Sequence, residues 1–200
     1  MPVAPVVIVD SGGANLASLG YALGRLGADT RISTDPQEIA SAARVILPGV
    51  GSATNAMTRL RASGLASVLM ALSQPVLGIC LGMQLLFEHS EEGPTQCLGL
   101  LPDSVRRLRA QPGQPVPHMG WNQLEVRQPD PLLEGVASDT FMYFVHSFAA
   151  PVSDYTLASV HYGSQLAAVV RRDNFWGTQF HPERSGADGA RVLANFLRLP

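Results

Sequence analysis

Pro75-Val-Leu-Gly-Ile-Cys80-Leu-Gly-Met-Gln84 is the stretch on which the fold turns. Pro75 to Ile79 reads as a buried strand, apolar and bounded by a turn residue. It runs without a loop into Cys80 and then into a predicted helix, Leu81 to His89. Gly78-Ile-Cys-Leu-Gly82 therefore has the form G-x-C-x-G between strand and helix, the setting of a nucleophile elbow. Glycine is needed at 78 and 82 because a side chain at either would meet the neighbouring strand or helix. A cysteine so placed lies at a helix start, where unpaired N–H groups and the helix dipole favour a thiolate. The competing reading is a small buried core thiol. Cys97 has no comparable setting and reads as structural.

Upstream, the same alternation repeats. Val6 to Val9 reads as a first strand, Asn15 to Leu26 as a helix stopped by Gly27, and Asp35-Pro-Gln-Glu38 as a capped helix start. Val45 to Leu47 is a second buried strand, and Ser52 to Arg61 and Leu65 to Leu72 are helical. Strand, helix, strand, helix at this spacing predicts a parallel sheet with helices on both faces. Downstream, Leu124 to Val126, Phe141 to Val145, Tyr155 to Val160, Ala167 to Val170 and Phe175 to Phe180 read as strands joined by short turns. A last helix spans about Gly186 to Leu197, and Ala110 to Pro117 is a loop. The fold class is thus α/β: an open, largely parallel sheet flanked by helices, with additional antiparallel strands in the C-terminal half. No repeat or linker divides the chain, so one domain over 1–200 is expected.

Composition limits the partners. Of 200 residues 46% are hydrophobic and 15% charged, as in a globular domain with a substantial core. A net charge of -2 gives no reason to expect nucleic acid or an anionic membrane. Two cysteines are no disulfide framework, and the short apolar run near the N-terminus is neither a secretory signal nor a membrane span. The expected location is the cytoplasm. No spaced Cys/His cluster implies a metal, and Asp10-Ser-Gly-Gly13 is too short for a dinucleotide fingerprint, so no cofactor is expected.

A thiol that transfers an acyl group needs a base. Of five histidines, His181 in His181-Pro-Glu183 stands out, at the end of a predicted strand. In an extended segment residues i and i+2 point the same way, so Glu183 can hold the imidazole of His181. An oxyanion needs donors as well. The N–H of Leu81 is one candidate. The Gly49-Val50-Gly51 turn, at the C-terminal end of a neighbouring strand, is the other, and it reads either as a switch or as a plain tight turn.

Leu47-Pro-Gly-Val-Gly51, Gly78-Ile-Cys-Leu-Gly-Met-Gln84 and Gln179-Phe-His-Pro-Glu183 together resemble the class I (triad) glutamine amidotransferases, in order and spacing and over essentially the whole chain. The resemblance implies a glutaminase in which Cys80 attacks the glutamine amide, His181 carries the proton and Glu183 orients it. Met83, Cys80 to Glu88 with Ser90-Glu-Glu-Gly93, Val116 to Asn122 and Tyr143 to Phe148 are similar to the glutaminases of histidine biosynthesis, which pair as a heterodimer with a (β/α)₈ cyclase. By that resemblance Gly49, Gln84, Glu92, His146, Ser147 and Phe148 hold the substrate glutamine. Asn15, His118, Met119, Trp121 and Asn122 face the cyclase.

Three positions depart from the pattern. Ser11 and Ala14 stand where Tyr and Gly are usual, and Arg184 stands where Lys is usual. Arg keeps the charge but not the geometry. Competing expectations are a glutaminase for anthranilate, aminodeoxychorismate or carbamoyl phosphate synthesis, a stand-alone cysteine hydrolase, and a catalytically silent domain on the same scaffold.

Overall fold

The protein is described here by a computed structural model covering residues 5–12 and 16–200. The first half alternates as the periodicity requires: β1 (Val6–Val9), α1 (Leu16–Arg25), β2 (Thr30–Ser33), α2 (Pro36–Ser41), β3 (Arg44–Gly49), α3 (Ala53–Ala62), α4 (Leu65–Met70) and β4 (Val76–Cys80). The predicted start of α2 holds in detail. Asp35 is its N-cap and accepts from the N–H of Gln37, with Pro36 at the first position.

After α5 (Leu81–Gln84) the chain departs from expectation. The predicted helix to His89 stops after one turn, and Phe87–Ser90 is strand β5. The carbonyls of Leu85, Leu86, Phe87 and Glu88 accept from the backbone N–H groups of residues 97 to 101 rather than from a continuing helix. A small four-stranded sheet results, ordered β10 (Phe148–Ala149), β7 (Leu101–Arg107), β5, β6 (Thr95–Gln96). The sequence reading predicts none of these four strands.

The remaining elements are β8 (His118–Val126), β9 (Phe141–His146), β11 (Thr156–Tyr162), β12 (Ser164–Arg172), β13 (Phe175–Thr178) and α6 (Gly186–Phe196). β8 begins six residues before the predicted Leu124, and β13 ends two residues before the predicted Phe180. The main sheet has nine strands in the order β2-β1-β3-β4-β13-β12-β11-β8-β9. β2 through β13 pair in parallel, and β13 through β9 pair antiparallel. β13 is thus the joint between the two halves.

Strand alternation sends side chains to two apolar layers. Ile8, Ile46 and Leu77 pack with Leu19, Leu23, Val192 and Phe196 of α1 and α6. Val7, Val45, Leu47 and Val76 pack with Ile39, Met57, Leu60 and Leu69 of α2 to α4. The C-terminal ends of β3, β4 and β13 are left side by side at one edge, where open α/β sheets place their sites. No helix among the described residues is long and apolar enough to cross a membrane.

Candidate active site

Cys80 occupies a strained backbone position, φ 54° and ψ -109°, between β4 and α5. A non-glycine residue at positive φ costs on the order of 1–3 kcal/mol and persists only where the surroundings enforce it. Here they do. A Cβ on Gly82 would collide with the carbonyl of Leu47, and one on Gly78 would stand 2.7 Å from the carbonyl carbon of Gly82. β3, β4 and α5 therefore approach so closely that only this turn joins them. The sulfur lies 3.8 Å from the carbonyl oxygen of Val145 and 3.7 Å from Nε2 of Gln179.

His181 stands just past β13, the parallel neighbour of β4. Its N–H donates to the carbonyl of Tyr143 at 3.0 Å, and Ser185 Oγ donates to its carbonyl at 2.7 Å. The ring is thus anchored from both sides of the main chain. Nδ1 is 2.9 Å from Oε1 of Glu183, and both side chains are buried. The predicted contact is present, but not by the predicted route. Residues 182 to 184 form a turn of 3-10 helix with Pro182 at its start, not an extended segment. The tight turn, rather than strand alternation, folds Glu183 back onto the ring.

Burial works against a charge on His181. Hydrogen bonds to Cys80 and Glu183, with the electrostatic pull of the same two groups, outweigh it and push the imidazole pKa up to about 10. The hydrogen-bonded imidazole and carboxylate share one cavity wall with the sulfur of Cys80.

The cavity measures about 770 Å³ and is lined also by Gly49, Val50, Gly51, Leu81, Gln84, Glu92, His146, Ser147 and Phe148. Gly49 faces Cys80 directly in the β3–β4 register. Gly51 sits at φ 90°, and Val50 is exposed at the cavity rim. Glu92 Oε2 accepts from the N–H of Ala53 at 2.7 Å, so this carboxylate also closes the first turn of α3. Gln84 is buried, with Nε2 2.8 Å from the carbonyl of Phe148 and 3.0 Å from Oε1 of Gln179. Gln179, quoted in a motif but given no role, turns out to touch both Gln84 and Cys80. Only its place two residues before His181 signalled it.

Beside the cavity, β8 and β9 form the far edge of the sheet. Met119 and Trp121 are 63% and 56% exposed, whereas His118 is buried. Strand alternation decides this: 119 and 121 share the outer face and 118 the inner. His118, expected on the partner face, thus turns its ring inward in this chain. The ring stacks between Phe144 and Tyr162 instead.

Its hydrogen bonds fix every tautomer nearby. The carbonyl of Phe148 can only accept, so His146 Nδ1 donates to it at 2.9 Å and Nε2 is left as an acceptor. His118 Nδ1 donates to that nitrogen at 3.0 Å, and Asn122 Nδ2 donates to His118 Nε2 at 3.2 Å. Burial lowers the pKa of His118 to about 4. Burial first, and the neighbouring His118, lower that of His146 to about 3 against the Phe148 hydrogen bond. Arg184 lies over the ring of Tyr143 at 4.7 Å, and Tyr143 meets Trp121 edge to face. Asn15 and Ala14 lie outside the described residues. Ser11 Oγ donates to the carbonyl of Pro48 at 3.2 Å, which ties the β1 end to β3.

The geometry can be set beside known proteins. The glutamine amidotransferase class-I family model matches residues 7–199. The imidazole glycerol phosphate synthase subunit HisH of Xanthomonas euvesicatoria pv. vesicatoria (strain 85-10) is 54% identical over 194 residues, covering 97% of each chain. The proteins of that name from Xylella fastidiosa (strain Temecula1) and Idiomarina loihiensis are 53% and 52% identical with the same coverage. Among solved structures, PurLQS from Thermotoga maritima superposes with a TM-score of 0.72 at 22% identity, covering 97% of this chain and 98% of that one. The glutaminase domain of Trypanosoma brucei CTPS, solved with bound acivicin, superposes at 0.65 with 14% identity, covering 98% and 95%. At such identities the likeness concerns the fold.

Proposed function

The chain belongs to the class I glutamine amidotransferases, and from that premise we propose that Cys80, His181 and Glu183 are its catalytic triad. It is a glutaminase of the imidazole glycerol phosphate synthase type, as relatives more than half identical over nearly their whole length support. Cys80 attacks the side-chain amide carbon of glutamine. The oxyanion that forms is met by the N–H of Leu81 and by the Gly49-Val50-Gly51 turn. His181, which has taken the thiol proton of Cys80, gives it to the leaving ammonia, and a glutamyl thioester remains. Water then adds to the thioester with His181 as base, and glutamate leaves with the thiol restored. Glu183 keeps Nδ1 protonated and the ring aimed at sulfur. The observation that carries this reading is that the His181–Glu183 pair, hydrogen-bonded at 2.9 Å, lines the same cavity as Cys80.

Gln84, Glu92 and the main chain of His146-Ser147-Phe148 hold the substrate. Glu92 suits a cationic α-amino group, and exposed amides suit a carboxylate. Met119, Trp121 and Asn122 dock a (β/α)₈ cyclase in a cytoplasmic heterodimer, and ammonia passes across that interface. There it reacts with a ribulosyl-phosphate imidazole-carboxamide nucleotide to give imidazole glycerol phosphate and an aminoimidazole carboxamide nucleotide. The Gly49–Gly51 turn acts as a switch that completes the oxyanion site only in the engaged complex.

The test is a glutaminase assay of the chain alone, with the cyclase, and with cyclase plus its nucleotide ligand. Near silence, partial activity and strong activation are expected in that order, and equal rates would remove the switch. Cys80→Ser in the pair should abolish glutamine-dependent cyclisation and keep ammonium-dependent turnover. Glutamine use retained by that variant would remove Cys80 from its role.

A further inference from the structure

We propose that Gln179 is a positioning residue for Cys80: its side-chain amide, held in one orientation by Gln84, keeps a hydrogen-bond donor aimed at the sulfur. The inference rests on the reading of Cys80 as nucleophile. Gln179 is fully buried just past β13, and its Nε2 lies 3.7 Å from Sγ of Cys80.

Which end of a buried amide faces the sulfur is decided by its other contacts. The carbonyl of Phe148 has no hydrogen to give, so Gln84 turns its NH₂ toward it, at 2.8 Å. That nitrogen has a second hydrogen, which points at Oε1 of Gln179 from 3.0 Å. Gln179 therefore accepts with its oxygen and presents its own NH₂ to Cys80. Rotating the Gln179 amide would set NH₂ against NH₂ inside the protein, and buried groups left without partners are costly. The orientation is thus relayed from a main-chain carbonyl through two side chains to the sulfur.

The second neighbour of Sγ is the Val145 carbonyl, which accepts from an S–H but offers nothing to a sulfur that has given up its proton. Gln179 complements it. Its N–H donates to sulfur in either state and donates more strongly when the sulfur is charged. The side chain of Cys80 is held between these two groups while His181 takes the proton.

The test uses the complex with the cyclase and two substitutions. Gln179→Met keeps the volume and removes the donor. Gln179→Glu matches the native shape, keeps an acceptor for Gln84 and sets an oxygen against the sulfur, so it carries the test if the first variant does not assemble. In each, kcat for glutamine should fall about tenfold or more with KM within about twofold. Iodoacetamide alkylation of Cys80 should slow by a similar factor, and ammonium-dependent cyclisation should be unchanged. Cys97 does not confuse that readout, because burial pushes its thiol up to about 11. An unchanged alkylation rate in either folded variant would overturn the proposal. So would a loss of kcat/KM that arises entirely from KM, which would make Gln179 a substrate-binding group. Cys80→Ser run in parallel separates the two readings. Glutamine turnover in that variant removes the nucleophile itself, whereas a silent Cys80→Ser beside fully active Gln179 variants sinks this inference alone.

Discussion

Single atoms decide the chemistry at the β4–α5 turn. Gly82 admits no Cβ because the Leu47 carbonyl already fills that space, and the contact is backbone to backbone, so neither side can swing away. Gly82→Ala should cost about 3 kcal/mol, the upper end of ordinary overpacking. Chemical denaturation measures it, and a stability equal to the parent would mean the turn is looser than described. Glu183 makes a different kind of contribution. Glu183→Gln leaves the shape intact but can present an N–H to Nδ1, which disturbs the tautomer His181 needs. kcat for glutamine should drop roughly 10²–10⁴-fold with ammonium-dependent turnover retained. Steady-state kinetics of the complex give the number, and a loss under threefold would make Glu183 a bystander.

At the level of elements, the row from Asn122 through His118 and His146 to the Phe148 carbonyl stitches β8 to β9 and β9 to β10. Both rings are neutral when folded, with pKa values of about 4 and 3, against about 6.5 when unfolded. The sign follows. Between pH 6.5 and 3 the unfolded chain binds protons that the folded chain refuses, so the stability these rings contribute is complete above pH 6.5 and is lost toward pH 3. The melting temperature should decline across that window, and the decline should flatten in a His118→Gln, His146→Gln variant. Equal slopes in variant and parent would refute the assignment. His181 works in the opposite sense: its contribution is complete below pH 6.5 and is lost as pH rises through about 10.

This same level shows what the sequence conveyed. The βα alternation of the first half was legible because Val6 to Val9, Val45 to Leu47 and Val76 to Ile79 are continuous apolar runs bounded by turns. The residues proposed as the triad were legible as candidates because the G-x-C-x-G turn and His181-Pro-Glu183 are local. The small sheet was not. Leu85 to Phe87 is apolar enough for a helix interior, and only the remote N–H donors at 97 to 101 make it leave helix for strand. The buried His118–His146 pair joins residues 28 apart, which no local pattern can disclose. Gln179 was visible as a letter in a motif, yet its role depends on Gln84, 95 positions away.

On the scale of the whole molecule, the β8–β9 edge carries three large apolar residues, Met119, Trp121 and Phe141, that each leave more than half their surface open. A Trp in the centre of an interface commonly carries about 2 kcal/mol or more of binding energy. Trp121→Ala should weaken cyclase binding about thirtyfold or more by titration calorimetry, with the melting temperature of the free chain unchanged. A fall in melting temperature instead would reassign Trp121 to the fold. Arg184 over Tyr143, itself against Trp121, continues this face to the cavity rim, so the proposed docking face and the candidate site adjoin.

Cys80 ends one strand and His181 follows the end of the strand beside it, with Thr178 level with Ile79. The strands that carry them are neighbours in the ladder, about 4.8 Å apart. Warmth that frays loops or unwinds a surface helix leaves that gauge untouched. The two groups proposed for catalysis lean on the middle of the sheet, so loss of activity on heating should track the melting of that sheet and not the fraying of loops.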